Sequence, residues 1–273
     1  PPEQILAVTF TNKAAREMQE RVSKLIPKKM SVEKGKKAPK PTISTFHSLC
    51  VRILRLYIDR LGYKNNFVIY DESDQLSTLR KIMSHILTGD EKFDVKVVQS
   101  LLSRFKNNGP ESLRDQPASL VAFAQHVQRQ YESALRACNA VDFDDLILLV
   151  LKLFEEHPDV LAACQNRYRY VMVDEYQDTN ASQFRLLNFL AAKHQNLCVV
   201  GDDDQSIYGW RGARISNLLD LEEFYPNLKV IKLEQNYRST NNILKAANEV
   251  IKNNARRREK NLRLVFIESQ QLV

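Results

Sequence analysis

An apolar run that stops in two carboxylates constrains this chain more than any other stretch. Tyr170-Val-Met-Val173 is followed at once by Asp174 and Glu175. A continuous, partly β-branched run of this kind predicts a strand buried on both faces, as the strands of parallel sheets are. Ligands of such sheets bind just beyond the carboxyl ends of the strands. Two acids at that edge suit a magnesium–phosphate site, because Mg²⁺ takes one or two carboxylates, several waters and substrate phosphates. The second acid can orient or deprotonate an attacking water. Taken alone, an Asp-Glu pair at a strand end is more simply a solvated acidic turn. The pattern recurs, however: Leu197-Cys-Val-Val200 runs into Gly201-Asp-Asp-Asp-Gln205. This predicts a second strand beside the first, with Gln205 at the neighbouring edge. An amide there could bridge a γ-phosphate and a water, though a glutamine in a turn has no such claim by itself.

The chain of 273 residues is long enough for one large or two ordinary domains, and 44% hydrophobic residues allow a sizeable core. A net charge of +7 and a pI near 9.2 permit a polyanionic partner without proving one. Cys50, Cys138, Cys164 and Cys198 are scattered, which suits buried free thiols in a reducing compartment better than disulfides or zinc. No apolar run reaches the length of a membrane span, and no signal peptide is evident. The opening Pro-Pro-Glu, running within a few residues into a strand, reads as part of something longer.

Ile5-Leu-Ala-Val8 predicts a short strand, and Ala14, Met18, Val22 and Leu25 predict an amphipathic helix after it, capped by Thr11 or Asn12. Residues 27–41, rich in Lys, Pro and Gly, read as a flexible basic loop. Thr42-Ile-Ser44 predicts a strand, and Thr45-Phe-His-Ser48 opens a helix. There, the imidazole of His47 could donate to a phosphate or cap the helix. From 48 to 157 helical patterns dominate, which predicts an α-helical insertion in an α/β domain. Asp142, Asp144 and Asp145 stand where a helix begins and are explained by capping and the helix dipole. Tyr208, Trp210 and Arg211 lie between glycines. Exposed rings there would offer stacking platforms for bases; a core anchor is the equal alternative. Lys229-Val-Ile-Lys-Leu233 predicts a further strand, and Ser239 or Thr240 the cap of a helix carrying Ile243, Leu244, Ala247 and Val250. Arg256-Arg-Arg258 reads as solvated.

Asp-Glu-Tyr-Gln-Asp-Thr-Asn180 resembles the Walker B motif of the UvrD/Rep/PcrA family of superfamily 1 DNA helicases. Thr-Phe-Thr-Asn-Lys-Ala-Ala-Arg-Glu-Met18 is similar to the family's motif Ia, Thr45-Phe-His-Ser48 to another of its segments, Gly201 to Ala213 to motif III, and Gln235-Asn-Tyr-Arg-Ser-Thr240 to motif IV. The resemblance covers the chain from Ile5 to about Asn254. It implies an α/β fold: a partial RecA-like parallel-sheet lobe of the P-loop NTPase type. That lobe would span 1–47 and 158–228, with a helical subdomain over 48–157 and the start of a second RecA-like lobe over 229–273. It implies ATP and Mg²⁺ as cofactors, with Asp174 and Glu175 on the metal and Glu175 activating the water. Gln205 and Arg238 would sense the γ-phosphate, and Tyr237 would lie against the adenine. It places Phe10, Thr11, Asn12, Thr45, His47, Tyr208, Trp210 and Arg211 on DNA. The implied partners are single-stranded DNA and its junctions with duplex, with translocation 3′ to 5′, in replication, repair or recombination. The implied location is the cytoplasm, with the nucleoid, and no membrane.

No Gly-x-x-x-x-Gly-Lys-Ser/Thr occurs in the sequence. The family carries that phosphate loop upstream of motif Ia, so these residues by themselves are expected to be inactive as an ATPase. Two other readings stay open: a DNA-binding remnant that never hydrolyses ATP, and the helicase part of a helicase–nuclease.

Overall fold

The computed structural model describes residues 1–26, 39–86, 93–254 and 257–264. The basic loop expected over 27–41 therefore lies outside the described residues, apart from 39–41.

Strand β1 (Ile5–Thr9) leads into helix α1 (Asn12–Leu25), and β2 (Thr42–Thr45) leads directly into α2 (Phe46–Tyr57). Each of the two helices starts on a threonine whose hydroxyl takes one otherwise unpaired N–H. Thr11 Oγ1 accepts from the Ala14 amide at 3.1 Å, and Thr45 Oγ1 from that of Ser48 at 3.2 Å. Thr45, rather than His47, is thus the cap of α2. The helical stretch follows: β3 (Val68–Ile69), α3 (Glu72–Ile86), α4 (Val95–Asn108), α5 (Ala118–Ala137), β4 (Ala140–Val141), α6 (Phe143–Glu156) and α7 (Pro158–Arg167). The chain then returns to β5 (Tyr170–Val173), α8 (Ala181–Ala191) and β6 (Leu197–Val199). Two single-turn helices come next, α9 (Ser216–Leu219) and α10 (Leu221–Phe224), before β7 (Gln235–Asn236), α11 (Asn241–Ile251) and β8 (Arg263–Leu264).

Four of these strands form one parallel sheet in the order β2-β1-β5-β6. Its buried Leu6, Val8, Val171 and Val173 fall in one cluster with side chains of α2, α6, α7 and α8. Leu79, Met83, Val98, Leu101, Val127 and Tyr131 form a second cluster among α3, α4 and α5. The boundary expected at residue 48 therefore falls inside α2, a helix whose buried side packs with the sheet.

Three expectations are corrected. First, β5 is not buried on both faces. Val171 and Val173 are buried, whereas Tyr170 is 48% and Met172 45% exposed. The register explains this. Leu6 pairs with Val171 on the face covered by α2, α6 and α8. Ala7 pairs with Met172 and Met172 with Cys198 on the opposite face, where α1 packs only on β1 and β2. Cys198 is therefore exposed, as is Cys138, while Cys50 and Cys164 are buried; all four are free thiols. Second, Lys229–Leu233 is not a strand. Val230, Ile231 and Leu233 are exposed, and pairing begins only at Gln235, with β8. An extended apolar segment needs a neighbouring strand to hold it, and none lies beside this one among the described residues. Third, α11 has no side-chain cap from Thr240. Instead Asn236 Oδ1 accepts from the Arg238 and Ser239 amides at 3.0 and 2.8 Å.

Candidate functional site

The parallel register puts the carboxyl ends of all four sheet strands on one edge: Thr9 lies beside Thr45, Val8 beside Val173, and Val173 beside Val199. Every candidate segment before residue 212 leaves the sheet from this edge.

The β5 exit is built residue by residue. The Asp174 amide still donates to Val8 O at 3.0 Å, so the ladder continues into the first acid. Glu175 then turns the chain in the left-handed region, at φ 52° and ψ 44°. A non-glycine residue seldom adopts that conformation, and such strain collects at functional sites. Burial, then the charge of Glu175, pushes the Asp174 carboxyl above its usual range. Asp178 is raised for the same two reasons. A divalent cation would relieve both effects, so a half-buried Asp174 beside an exposed Glu175 fits Mg²⁺ carrying phosphate and water. Tyr176 is fully buried in the core and Asn180 caps α8 in a reciprocal box with Gln183.

Gln177, whose residue type and position carry no chemical signal of their own, joins the two acidic edges. Its side chain is almost fully buried. Its Nε2 donates to Glu175 Oε2 at 2.8 Å, and its Oε1 accepts from the Asp202 amide at 3.0 Å. A Cβ on Gly201 would stand 2.8 Å from that Oε1, so only glycine lets the β6 exit approach so closely. The one legible signal was the glycine itself, placed where an apolar run ends.

Gln205 lies on this second exit, beside the Asp174 edge. Its amide donates to Asp202 Oδ2 at 2.6 Å, and no hydrogen bond joins it to Asp174 or Glu175. The carboxylates of Asp202, Asp203 and Asp204 lie within 4.8 Å of one another, close enough for a cation. Two side-chain cations already answer them. Arg257 forms a two-pronged pair with Asp204 at 3.0 and 2.9 Å, and Lys260 reaches all three acids, Asp203 at 2.5 Å. The Arg258 amide adds a bond to Asp203 at 2.7 Å. Residues 257 and 258 are therefore not the solvated run expected from the sequence; Arg256 lies outside the described residues.

Beyond Gln205 the loop carries the aromatic candidates outward. Trp210 is 75% exposed, which removes the core-anchor reading. The Arg211 guanidinium lies 4.5 Å from its ring centroid and 5.4 Å from that of Tyr208. The loop is tied back to the acid turn at its base. Arg214 N donates to Thr179 O at 2.9 Å, and the buried Asn217 amide donates to Thr179 O and Oγ1 at 2.9 and 3.1 Å. Across the sheet, Phe10 packs on Phe46 at 5.3 Å, with Thr11 and Asn12 exposed at the start of α1. The His47 ring meets Phe143 edge-on at 5.7 Å, and burial lowers its basicity. Phe143, half exposed at the start of α6, lies beside it.

Tyr237 and Arg238 sit between β7 and α11, both exposed. Among the described residues no hydrogen bond or ion pair joins them to Asp174, Glu175 or Gln205. The Arg238 guanidinium has no side-chain partner there.

The parallel four-stranded sheet with its covering helices is consistent with a RecA-like helicase domain. The chain belongs to the UvrD/REP helicase family. Residues 1–226 match the UvrD/REP helicase N-terminal domain, and residues 231–273 the UvrD-like helicase C-terminal domain. Among its relatives are proteins named ATP-dependent DNA helicase PcrA. That of Bacillus subtilis is 49% identical over 267 residues, 96% of this chain. Those of Staphylococcus aureus and Staphylococcus epidermidis are 48% and 47% identical over the same length. The chain spans 35% of the length of each of these relatives.

Proposed function

We propose that these residues supply the acidic, sensing and strand-contacting parts of an ATP-dependent DNA helicase. The observation that carries this reading is the shared carboxyl edge. Asp174 and Glu175 leave it one strand away from Phe10 to Asn12 on one side and from Gly201 to Arg211 on the other. A change at the nucleotide is thereby one strand from the Phe10 to Asn12 and Gly201 to Arg211 segments, and two from Thr45 and His47.

ATP with Mg²⁺ would supply the leaving group and the cation. Asp174 and Glu175 would hold the cation, and Glu175 would take the proton of the attacking water. Gln205 would sense the γ-phosphate. Arg238, exposed and unpaired among the described residues, neutralises developing charge when the second lobe closes, while Tyr237 stacks on the base. Phe10, Thr11, Asn12, Thr45, His47, Tyr208, Trp210 and Arg211 follow a single strand and its duplex junction, with translocation 3′ to 5′. The lobes are 1–47 with 158–228, the helical unit 48–157, and the second lobe begins at 229. The setting is the bacterial cytoplasm alongside the nucleoid; no helix among the described residues is long and apolar enough to cross a membrane.

Phosphoryl transfer depends on positioning, and the phosphate loop that would hold the β- and γ-phosphates is absent from these 273 residues. The purified chain should therefore bind single-stranded DNA weakly and in a salt-dependent way, with no DNA-stimulated phosphate release. Joined to a phosphate-loop segment it should gain that release, and Glu175→Gln should keep ATP binding while losing most turnover. Stimulated release by the chain alone, abolished by Glu175→Gln, would overturn the account of which groups are needed.

A further inference from the structure

We infer that Lys260 and Arg257 are positioning residues that reach across to the β6 exit and fix the amide of Gln205, Lys260 directly through Asp202 and Arg257 through Asp204, whose own amide bonds Asp202. This rests on the reading of Gln205 as the phosphate-sensing amide and deepens it.

Three consecutive carboxylates at a strand exit repel one another, and a turn that gathers them within 4.8 Å needs compensation. It comes from a segment more than fifty residues away in sequence. The pairs are not loose surface contacts. Arg257 and Asp204 are 11% and 12% exposed at their side chains, Lys260 and Asp203 19% and 6%. Burial would raise the acids, yet the hydrogen bonds and charge of Lys260 hold Asp202 and Asp203 below the usual carboxylate range. The Asp202 carboxylate is divided between two tasks. Its Oδ1 takes Lys260 Nζ and the Asp204 amide, and its Oδ2 takes the Gln205 amide. With Lys260 removed, the first oxygen keeps only the Asp204 amide, and the less firmly held carboxylate can turn, carrying Gln205 with it.

The cations also belong to the unit that presents Arg238. The segment around Lys260 is tied to α11 through Asn248, whose amide donates to Asn261 Oδ1 at 2.8 Å and to Leu262 O at 3.0 Å. Tyr237 and Arg238 lie at the start of that helix. Any displacement of α11 relative to the sheet therefore pulls on the tether of Gln205. The two γ-phosphate contacts are then set by one movement rather than two, and the same turn leads without interruption into Tyr208 and Trp210.

The test needs neither nucleotide nor DNA. In the full chain labelled with ¹⁵N-glutamine, the Gln205 side-chain NH₂ pair is assigned by its loss in Gln205→Asn. The pair should lie displaced from the free-glutamine position. Lys260→Met should return it to that position, whereas Lys260→Arg, which keeps the charge, should leave it displaced. Arg257→Asp should act like Lys260→Met, and Arg257→Asp with Asp204→Arg should restore the displaced position. A folded Lys260→Met chain whose Gln205 pair has not moved overturns the inference. Should Lys260→Met not fold, the swapped pair decides: recovery supports the tether, and no recovery overturns it. Failure of the helicase reading would show elsewhere, as single-strand binding indifferent to Trp210→Ala, and would leave these resonances where they are.

Discussion

Gln177 occupies the space that a side chain at residue 201 would need. A methyl group there would meet its Oε1 at 2.8 Å and its backbone nitrogen at 3.3 Å, and the backbone cannot swing aside as a side-chain tip can. Gly201→Ala should therefore cost about 1–3 kcal/mol, the usual cost of overpacking, and break the bridge between Glu175 and Asp202. Urea unfolding measures the loss; an unchanged midpoint would mean that Gln177 relocates without cost. Trp210 presents the opposite case. With three-quarters of its surface in water it contributes little packing. Trp210→Ala should leave thermal unfolding nearly unchanged and weaken single-strand binding by about 1–3 kcal/mol, the worth of a stacked base. A sharp drop in melting temperature with intact affinity would restore the anchoring role. At this scale the acids and the Thr11 cap were legible, because each announces itself by its type just after an apolar run; the Thr45 cap was not, since His47 stood beside it as a rival. Gln177 was not: its importance comes from two strand exits lying side by side, and nothing in Tyr-Gln-Asp marks which side chain turns inward.

The start of α6 shows how an element can be read correctly and incompletely. Asp142 accepts from the Asp145 amide at 2.8 Å and Asp145 from the Asp142 amide at 3.2 Å, the reciprocal cap expected of this sequence. What the sequence does not disclose is Lys106, from the end of α4. Only 5% of its side chain is exposed, and it lies 2.9 Å from Asp142 and 2.7 Å from Asp145. Asn107 donates to Asp144 at 2.6 Å in the same place. One cation among three buried acids leaves excess negative charge. Burial accordingly pushes Asp145 up to about 6 despite its lysine. The sign follows. The folded state holds that proton more tightly than the unfolded chain, so this contribution is full below the ordinary carboxylate range and is lost as pH rises through about 6. Lys106→Met should cost about 3–5 kcal/mol near pH 8, where the acids are stranded, and clearly less at pH 5, where they can be protonated. Equal losses at the two pH values would show that packing, not charge, holds α4 to α6.

For the molecule as a whole, the sheet is covered on one face and only half covered on the other. Tyr170, Met172, Cys198 and Val200 lie open on the β5–β6 half, and Val230, Ile231 and Leu233 form a second exposed apolar stretch. Patches of this kind associate in water. The chain should self-associate as its concentration rises, and Met172→Lys should reduce that without lowering the melting temperature, since the side chain already stands in solvent. Sedimentation velocity of the two proteins compares them directly; identical association would move the contact to another surface.

The sequence by itself determined the elements that rest on short-range physics. These are the two parallel strands ending in acids, the Thr11 and aspartate caps, the helical stretch between the second and third strands of the sheet, and the family resemblance carried by strings such as Asp174 to Asn180. Each depends on neighbours a few residues away, so it survives being read one residue at a time. The tertiary structure alone decided the rest. It set which face of β5 is covered, made Gln177 the link between two exits, and brought Arg257 and Lys260 onto Asp202, Asp203 and Asp204. It also left Lys229–Leu233 without a partner strand among the described residues. These outcomes turn on which surfaces meet, and burial and charge pairing between distant segments are set only when the chain has closed on itself.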